Sequence, residues 1–356
     1  MKVKKLLKTI LGKMAALNKS TSHMNVETAK TILQSLSPDP ATTCVATNML
    51  KQQYDLQIIV PSYNMSKYVA SCLESVLNQK TKYSYLVTVV NDGSTDQTLE
   101  IVRSYQKKYS NRMEVINQQN RGLSGARNAA MKILKGKYIT FLDSDDILVD
   151  GAVKAWLHAA LDGNSALDIV QGSWYTSVQL NVGEIPHDVQ VAQQLSGFPW
   201  GKIFKAEILE HFQFPEGYWF EDTPISFMIY GKQYNFKAIP DVVYGYRLNP
   251  EGITAKSIMS KRSVESYYIT ELCLREFPVF DVPYDQRAYE YFLNQCIMNW
   301  RRTSKQPKKV REAIFVLEAE LKGMYFKDMN SQNNKEVETV LCKKQFGRFE
   351  ALAWGK

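Results

Sequence analysis

Three carboxylates stand together at one point of the chain: Asp143, Asp145 and Asp146 follow directly on the apolar run Tyr138–Leu142. That run has the length and composition of a short buried strand, so the acids sit where a strand ends. Grouped carboxylates repel one another, and the cost grows when they are partly desolvated. A hard divalent cation with oxygen ligands removes that cost. A cation held by so few carboxylates keeps positions open, which suits a diphosphate. Taken alone, the same residues also fit a solvated acidic turn capping the next helix.

The elements that must position these acids are an alternation of apolar and helical segments. Leu56–Val60, Tyr85–Val90, Met113–Ile116 and Tyr138–Leu142 read as strands. Lys67–Asn78, Thr95–Tyr109, Ser124–Lys135 and Asp150–Leu161 carry apolar side chains at helical spacing. The fold class this predicts is α/β, with a mainly parallel central sheet and helices on both faces. In such sheets, ligands bind beyond the carboxyl ends of the strands. Each predicted strand ends in polar or turn residues. The first ends in Pro61-Ser62-Tyr63-Asn64, the second in Asn91-Asp92-Gly93-Ser94-Thr95-Asp96, and the third leads to Asn120-Arg121-Gly122-Leu123-Ser124-Gly125-Ala126-Arg127-Asn128. Asp92-Gly93 by itself is a turn signal, and Gly122 and Gly125 by themselves admit close packing. Together with the acidic cluster they describe a pocket for a nucleoside diphosphate. Tyr63 stacks on the base, Asp92 accepts a base N–H, and Arg127 and a metal at Asp145 offset the phosphates.

The segments IVPSYN, VVNDGSTD, NRGLSGARNAA and FLDSDD, in this order and spacing, resemble family 2 glycosyltransferases of the GT-A fold over about residues 56–255. The resemblance implies inverting transfer of a hexose or N-acetylhexosamine from a nucleotide donor, usually UDP-linked, with Mn2+ or Mg2+ as cofactor. It implies that Pro61, Tyr63 and Asp92 hold the base with Arg127 beside it, that Asp143 touches the ribose and that Asp145 binds the metal. Phe198–Lys205 resembles the family's Trp-x-Lys segment, with Trp200, and the resemblance implies that Lys202 is among the donor-binding residues. Trp219-Phe220-Glu221-Asp222-Thr223 resembles its Glu-Asp motif. Inversion needs a carboxylate to take the acceptor hydroxyl proton, and by similarity that base is Asp222. Apolar neighbours Trp219, Phe220 and Phe227 would keep it poorly solvated. Glu221, Trp200 and Trp219 are expected on the acceptor side, although core packing explains one of the tryptophans equally well and a cap on a helix over Thr223–Tyr230 explains Glu221-Asp222. Arg247, before Gly252-Ile253-Thr254, resembles a segment that closes over the diphosphate.

The family pattern stops near Ser260, and Val264–Phe277, Tyr284–Thr303 and Lys308–Tyr325 read as helices separated by Pro278, Pro283 and Pro307. The expected organisation is a basic N-terminal helix and linker over 1–53, a GT-A domain over 54–258 and a helical basic extension over 259–356. In the first 19 residues, Val3, Leu6, Leu7, Ile10, Leu11, Met14 and Leu17 share one helical face, with lysines mostly on the other. Such a helix lies in an anionic membrane interface or packs on the domain. The chain carries a net charge of +8, with 45% hydrophobic and 22% charged residues. The excess is at the flanks: residues 1–53 hold eight Lys against Glu27 and Asp39, while the middle is close to neutral. Nucleic acid is not an expected partner, because that middle carries no recognition motif. Five scattered cysteines and four unpaired histidines argue for reduced thiols and against zinc. The expected location is the cytoplasm, or its membrane face if the acceptor is lipid-linked. The acceptor class is a cell-surface polysaccharide, a teichoic-type polymer or a glycoprotein glycan. A sugar-1-phosphate nucleotidyltransferase would share the sheet, but no Gly-rich phosphate loop follows Val60. A catalytically inactive nucleotide-sugar-binding module of a glycosylation complex is the rival of another class.

Overall fold

The computed structural model describes residues 21–355, apart from 163–166, 187, 250–251, 253–255 and 258. The predicted helix over the first 19 residues lies outside the described residues, as does most of Gly252-Ile253-Thr254. The chain divides into two compact units, one of residues 42–217 and 221–249, the other of residues up to 41, 218–220 and from 250 onwards.

The first unit is built on one mixed sheet. Its centre is β1 (Met49–Ser62), with β2 (Tyr85–Asp92) and β4 (Ile133–Phe141) parallel on either side and β3 (Met113–Gln118) parallel beyond β2. All eight residues of β2 are buried, as expected of a strand covered on both faces. Helices α2 (Val69–Leu77), α3 (Thr98–Lys108) and α4 (Gly122–Met131) make the crossovers. Two antiparallel pairings then turn the sheet: β8 (Lys202–Lys205) runs against β4, and β6 (Ile169–Ser177) against β8. Next, β9 (Phe236–Arg247) lies parallel to β6, and β5 (Ile147–Leu148) is antiparallel to β9 at the edge. The short β7 (Val189–Gln190) pairs with β6. Helix α5 (Ala152–Leu161) completes the layer and buries Trp156 fully.

The central strand begins earlier than its apolar run suggests. Lys51, Gln52 and Gln53 interrupt the alternation, and the β1–β4 register shifts there, with Gln52 at φ 44°. Where β4 meets β1, a Cβ on Gly136 would stand 2.3 Å from the Tyr138 carbonyl oxygen and 2.4 Å from the Gln57 nitrogen, so the strands approach as only glycine permits.

The second unit is helical. It contains α1 (Val26–Leu36), α6 (Glu265–Glu276), α7 (Gln286–Arg302), α8 (Lys308–Tyr325), α9 (Lys335–Cys342) and α10 (Phe346–Gly355). Asn25 caps α1 by accepting from Thr28 N at 2.8 Å, and Asp285 caps α7 by accepting from Ala288 N at 2.8 Å. A polar knot lies inside this unit. Asn299 accepts from Ser266 Oγ (2.6 Å) and Gln295 Nε2 (2.8 Å), and donates to Glu318 Oε1 (3.0 Å). Glu318 is fully buried among neutral groups, and burial pushes its carboxyl well above the usual range. Among the described residues, no helix is long and apolar enough to cross a membrane.

Candidate active site

The polar ends of β1, β2 and β4 are tied to one another by short-range chemistry. After β1, Asn64 takes φ 53°; its N–H donates to Ser94 Oγ (3.0 Å) and its Oδ1 accepts from Thr95 N (2.8 Å). The β1 and β2 loops are thereby joined. Pro61 is buried opposite Val90, and Tyr63 just beyond it is 46% exposed, its ring open to a ligand. Gly93 turns the chain at φ 72°, where a Cβ would stand 2.8 Å from Asn120 N. That turn lets Asp92, 2% exposed, face the loop after β3. Its Oδ1 accepts from Gln118 Nε2 (2.7 Å) and from Arg121 N (2.9 Å).

Arg127, on α4, is 2% exposed and sits with its guanidinium 5.0 Å from the Phe214 ring centroid. Its Nη1 donates to Glu221 Oε1 (2.8 Å) and its Nη2 to Asp143 Oδ1 (3.0 Å). Burial works against its charge, but the two carboxylates outweigh it and hold the guanidinium above its ordinary range. The side chain expected beside the base is therefore the link between the acidic turn and the Glu-Asp motif.

The three acids of the turn have separate surroundings. Asp146 is buried, accepting from Tyr244 Oη (2.7 Å) and from Arg247 N (2.7 Å). Burial, with Asp143 and Asp145 nearby, pushes it well up. Asp145 receives Asn249 Nδ2 at 3.1 Å, and it too is pushed up by burial and by Asp143. Arg247 donates from Nε to the Asp145 carbonyl (2.7 Å) and from Nη1 to the Val178 carbonyl (3.2 Å), and its guanidinium lies 4.4 Å from the Tyr68 ring centroid.

A divalent cation was tested against these residues. Asp145 provides a hard oxygen donor whose proton affinity is raised by burial and by the neighbouring Asp143, a cost that a cation relieves. No group of three His, Cys, Asp or Glu side chains able to enclose an ion occurs among the described residues. Asp145 is the carboxylate that would hold such an ion, with its further ligands left to a bound diphosphate.

Glu221 and Asp222 form the turn before a π-helical stretch, Ile225–Ile229, where a regular helix over Thr223–Tyr230 was predicted. Glu221 is the buried member: burial raises its carboxyl to about 7, against Arg127, which lowers it, and Asp222, which raises it. Asp222 is half-buried.

Two expectations need correcting. Lys202 is fully buried, and its ammonium contacts Ser196 O (2.6 Å), Ser196 Oγ (2.8 Å), Phe198 O (2.7 Å) and Tyr230 Oη (2.9 Å). It braces the 196–198 loop and is not placed as a phosphate ligand; burial among neutral acceptors pulls it well down. Trp200 is 6% exposed, and its ring stacks on Phe198 and Tyr244 (centroids 4.6 Å each) and on Tyr246 (5.2 Å). Those contacts make it core rather than a platform for a sugar. Trp219, in the helical unit, is half-buried under the Arg262 guanidinium, 4.8 Å from its ring. Residues the motifs did not reveal are Gln118, Tyr244 and Asn249; the polar residue closing β3 was the one available signal, for Gln118.

Residues 57–214 match the family model described as glycosyl transferase family 2. The chain is 26% identical over 317 residues to glycosyltransferase GlyA of Streptococcus pneumoniae, covering 82% of this chain and 44% of that protein. It is 35% identical over 162 residues to a poly(ribitol-phosphate) beta-glucosyltransferase of Bacillus spizizenii, covering 44% of this chain and 26% of that one. The chain thus spans less than half the length of either relative. Among solved structures it is similar to S. aureus TarS 1-349 in complex with UDP-GlcNAc, at 22% identity and TM-score 0.47, covering 82% of this chain and 92% of that one. The matched domain, residues 57–214, is a family 2 glycosyltransferase domain, and it is the one that holds Asp92, Arg127 and the acidic turn.

Proposed function

We propose that the chain is a metal-dependent inverting glycosyltransferase. It moves a hexose or N-acetylhexosamine from a UDP-sugar to a hydroxyl of a glycan, with a cell-surface polysaccharide or teichoic-type polymer as the acceptor class. The observation that carries this reading is the gathering of Asp92, Arg127, Asp143 and Asp145 around the ends of β1–β4, with Glu221 joined to them through Arg127. The family and the name of the B. spizizenii relative support the acceptor class.

In this reading Tyr63 stacks on uracil and Asp92 accepts its ring N–H. Asp143 accepts from a ribose hydroxyl. Asp145 would hold a Mn2+ or Mg2+ ion, which when bound offsets the charge of the departing diphosphate. Asp222 takes the acceptor hydroxyl proton as that oxygen attacks the anomeric carbon. The bond to the β-phosphate breaks, UDP leaves with the electron pair, and the configuration inverts. Glu221, next to Asp222, is read on the acceptor side.

The test is a screen of UDP-sugars for hydrolysis with and without Mn2+, joined to calorimetric titration of UDP. One sugar should be hydrolysed in a metal-dependent way, and UDP should bind more tightly than CDP, whose ring lacks the N–H. Asp145→Ala should abolish the metal dependence of UDP binding. Equal affinity for UDP and CDP, or unchanged metal dependence in the variant, overturns the reading.

A further inference from the structure

Arg127 joins two carboxylates that belong to opposite ends of the reaction. Asp143 is on the turn after β4, and Glu221 is 94 residues from Arg127 in the chain, next to Asp222. The guanidinium is buried at 2% exposure, and its Nε has no hydrogen-bond partner. Two of its nitrogens are thus committed, one to each acid. A buried cation shared by two anions divides its stabilisation between them, so weakening one pair strengthens the other.

We propose that Arg127 is a positioning residue that makes donor binding proton-linked: engagement of Asp143 by the donor's ribose shifts the guanidinium's charge onto Glu221, which ionises and thereby primes the Glu221–Asp222 pair. This rests on the reading of Asp143 as the ribose ligand. A ribose hydroxyl donating to Asp143 satisfies part of its negative charge, and its hold on Arg127 Nη2 weakens. Glu221, whose carboxyl stands at about 7 in the free protein, then gains the larger share of the cation and releases its proton to solvent. The charged groups facing Glu221 are Arg127 and Asp222, with Asp143 behind Arg127 and Lys202 beside Asp222. Like charges side by side favour the protonated form. An ionised Glu221 therefore draws the acceptor's proton towards the carboxylate pair, and it does so only when a donor is in place. The device favours donor before acceptor.

The experiment is calorimetric titration of the full chain with UDP and Mn2+ at pH 6.5, in two buffers of different ionisation enthalpy, which counts protons exchanged on binding. Uridine is the second probe, since it has a ribose but no phosphate and needs no metal. If the carboxyl falls by about one unit, wild type should release about half a proton per ligand beyond Glu221→Gln, whose amide keeps the shape and cannot titrate. The excess should persist with uridine, and Arg127→Lys should reduce it. Uridine affinity of wild type should rise with pH between about 6 and 8 by the matching slope, a readout that needs no variant. Binding of UDP with the same proton count in wild type and Glu221→Gln overturns the proposal while leaving the UDP-sugar reading intact. Absence of UDP binding to wild type defeats both.

Discussion

Arg127 and Glu318 are each buried in the middle of one unit, and they have opposite fates. Arg127 meets two carboxylates, at 2.8 and 3.0 Å, and stays charged. Glu318 meets the Asn299 amide and the Cys296 thiol, and burial holds its proton on. Lys202 is the intermediate case, a fully buried amine ringed by neutral acceptors. Depth alone does not decide whether an ionisable group keeps its charge; the charge of what it faces does. Around Arg127 opposite charges are spent on a buried group, the pattern of a site, whereas Glu318 is neutralised by its surroundings, the pattern of a core.

This contrast can be broken at four points. At the site, Asp222→Asn should lower turnover about 10²–10⁴-fold with UDP affinity near wild type, measured as UDP release beside a titration. Turnover within a few-fold of wild type would remove Asp222 as the base. Next, Arg127→Leu should destabilise its unit by about 3–5 kcal/mol, because Asp143 and Glu221 lose their cation. Urea unfolding measures this, and a loss under about 1 kcal/mol would mean that the pairs are not formed in solution. Lys202→Met should cost less, about 1–3 kcal/mol, since it leaves neutral acceptors unpaired rather than charges. Equal costs for Lys202→Met and Arg127→Leu would erase the distinction drawn here. The fourth point is Glu318, whose effect is read as a slope with pH. Its folded value lies well above its unfolded 4.5, so its contribution is full below pH 4.5 and is lost as pH rises towards the folded value. Helical-unit stability should therefore fall above pH 4.5 by up to about 1.4 kcal/mol per unit, and Glu318→Gln should flatten that slope. Thermal melts from pH 5 to 8 decide it.

What the sequence disclosed was what is local. Polar clusters at the ends of apolar runs located the site, because a strand end is written in consecutive residues. Lys308–Tyr325 was legible in full, with Pro307 before it and clean apolar spacing. The pairings across the site were not legible: Arg127 reaches Glu221, and Asp146 reaches Tyr244 98 residues on, through strand order that no local pattern encodes. The partners of Lys202 were not legible for the same reason, since residue type suggested a ligand role and the 196–198 loop took up the ammonium; for Trp200 the sequence left core packing open, and β9 supplies it. The helices Lys335–Cys342 and Phe346–Gly355 were missed because each is short.

Tyr244 carries a consequence for anyone redesigning this enzyme. Its ring stacks on Trp200, and its hydroxyl both donates to Asp146 and accepts from the Asp143 N–H at 3.2 Å. The aromatic stack beneath the 196–200 loop and the acidic turn therefore share one side chain. Grafting a foreign 196–200 loop would tug on the turn that carries Asp143, Asp145 and Asp146. The two are not interchangeable cassettes, and a library that diversifies that loop should hold Tyr244 and Trp200 constant or vary them together.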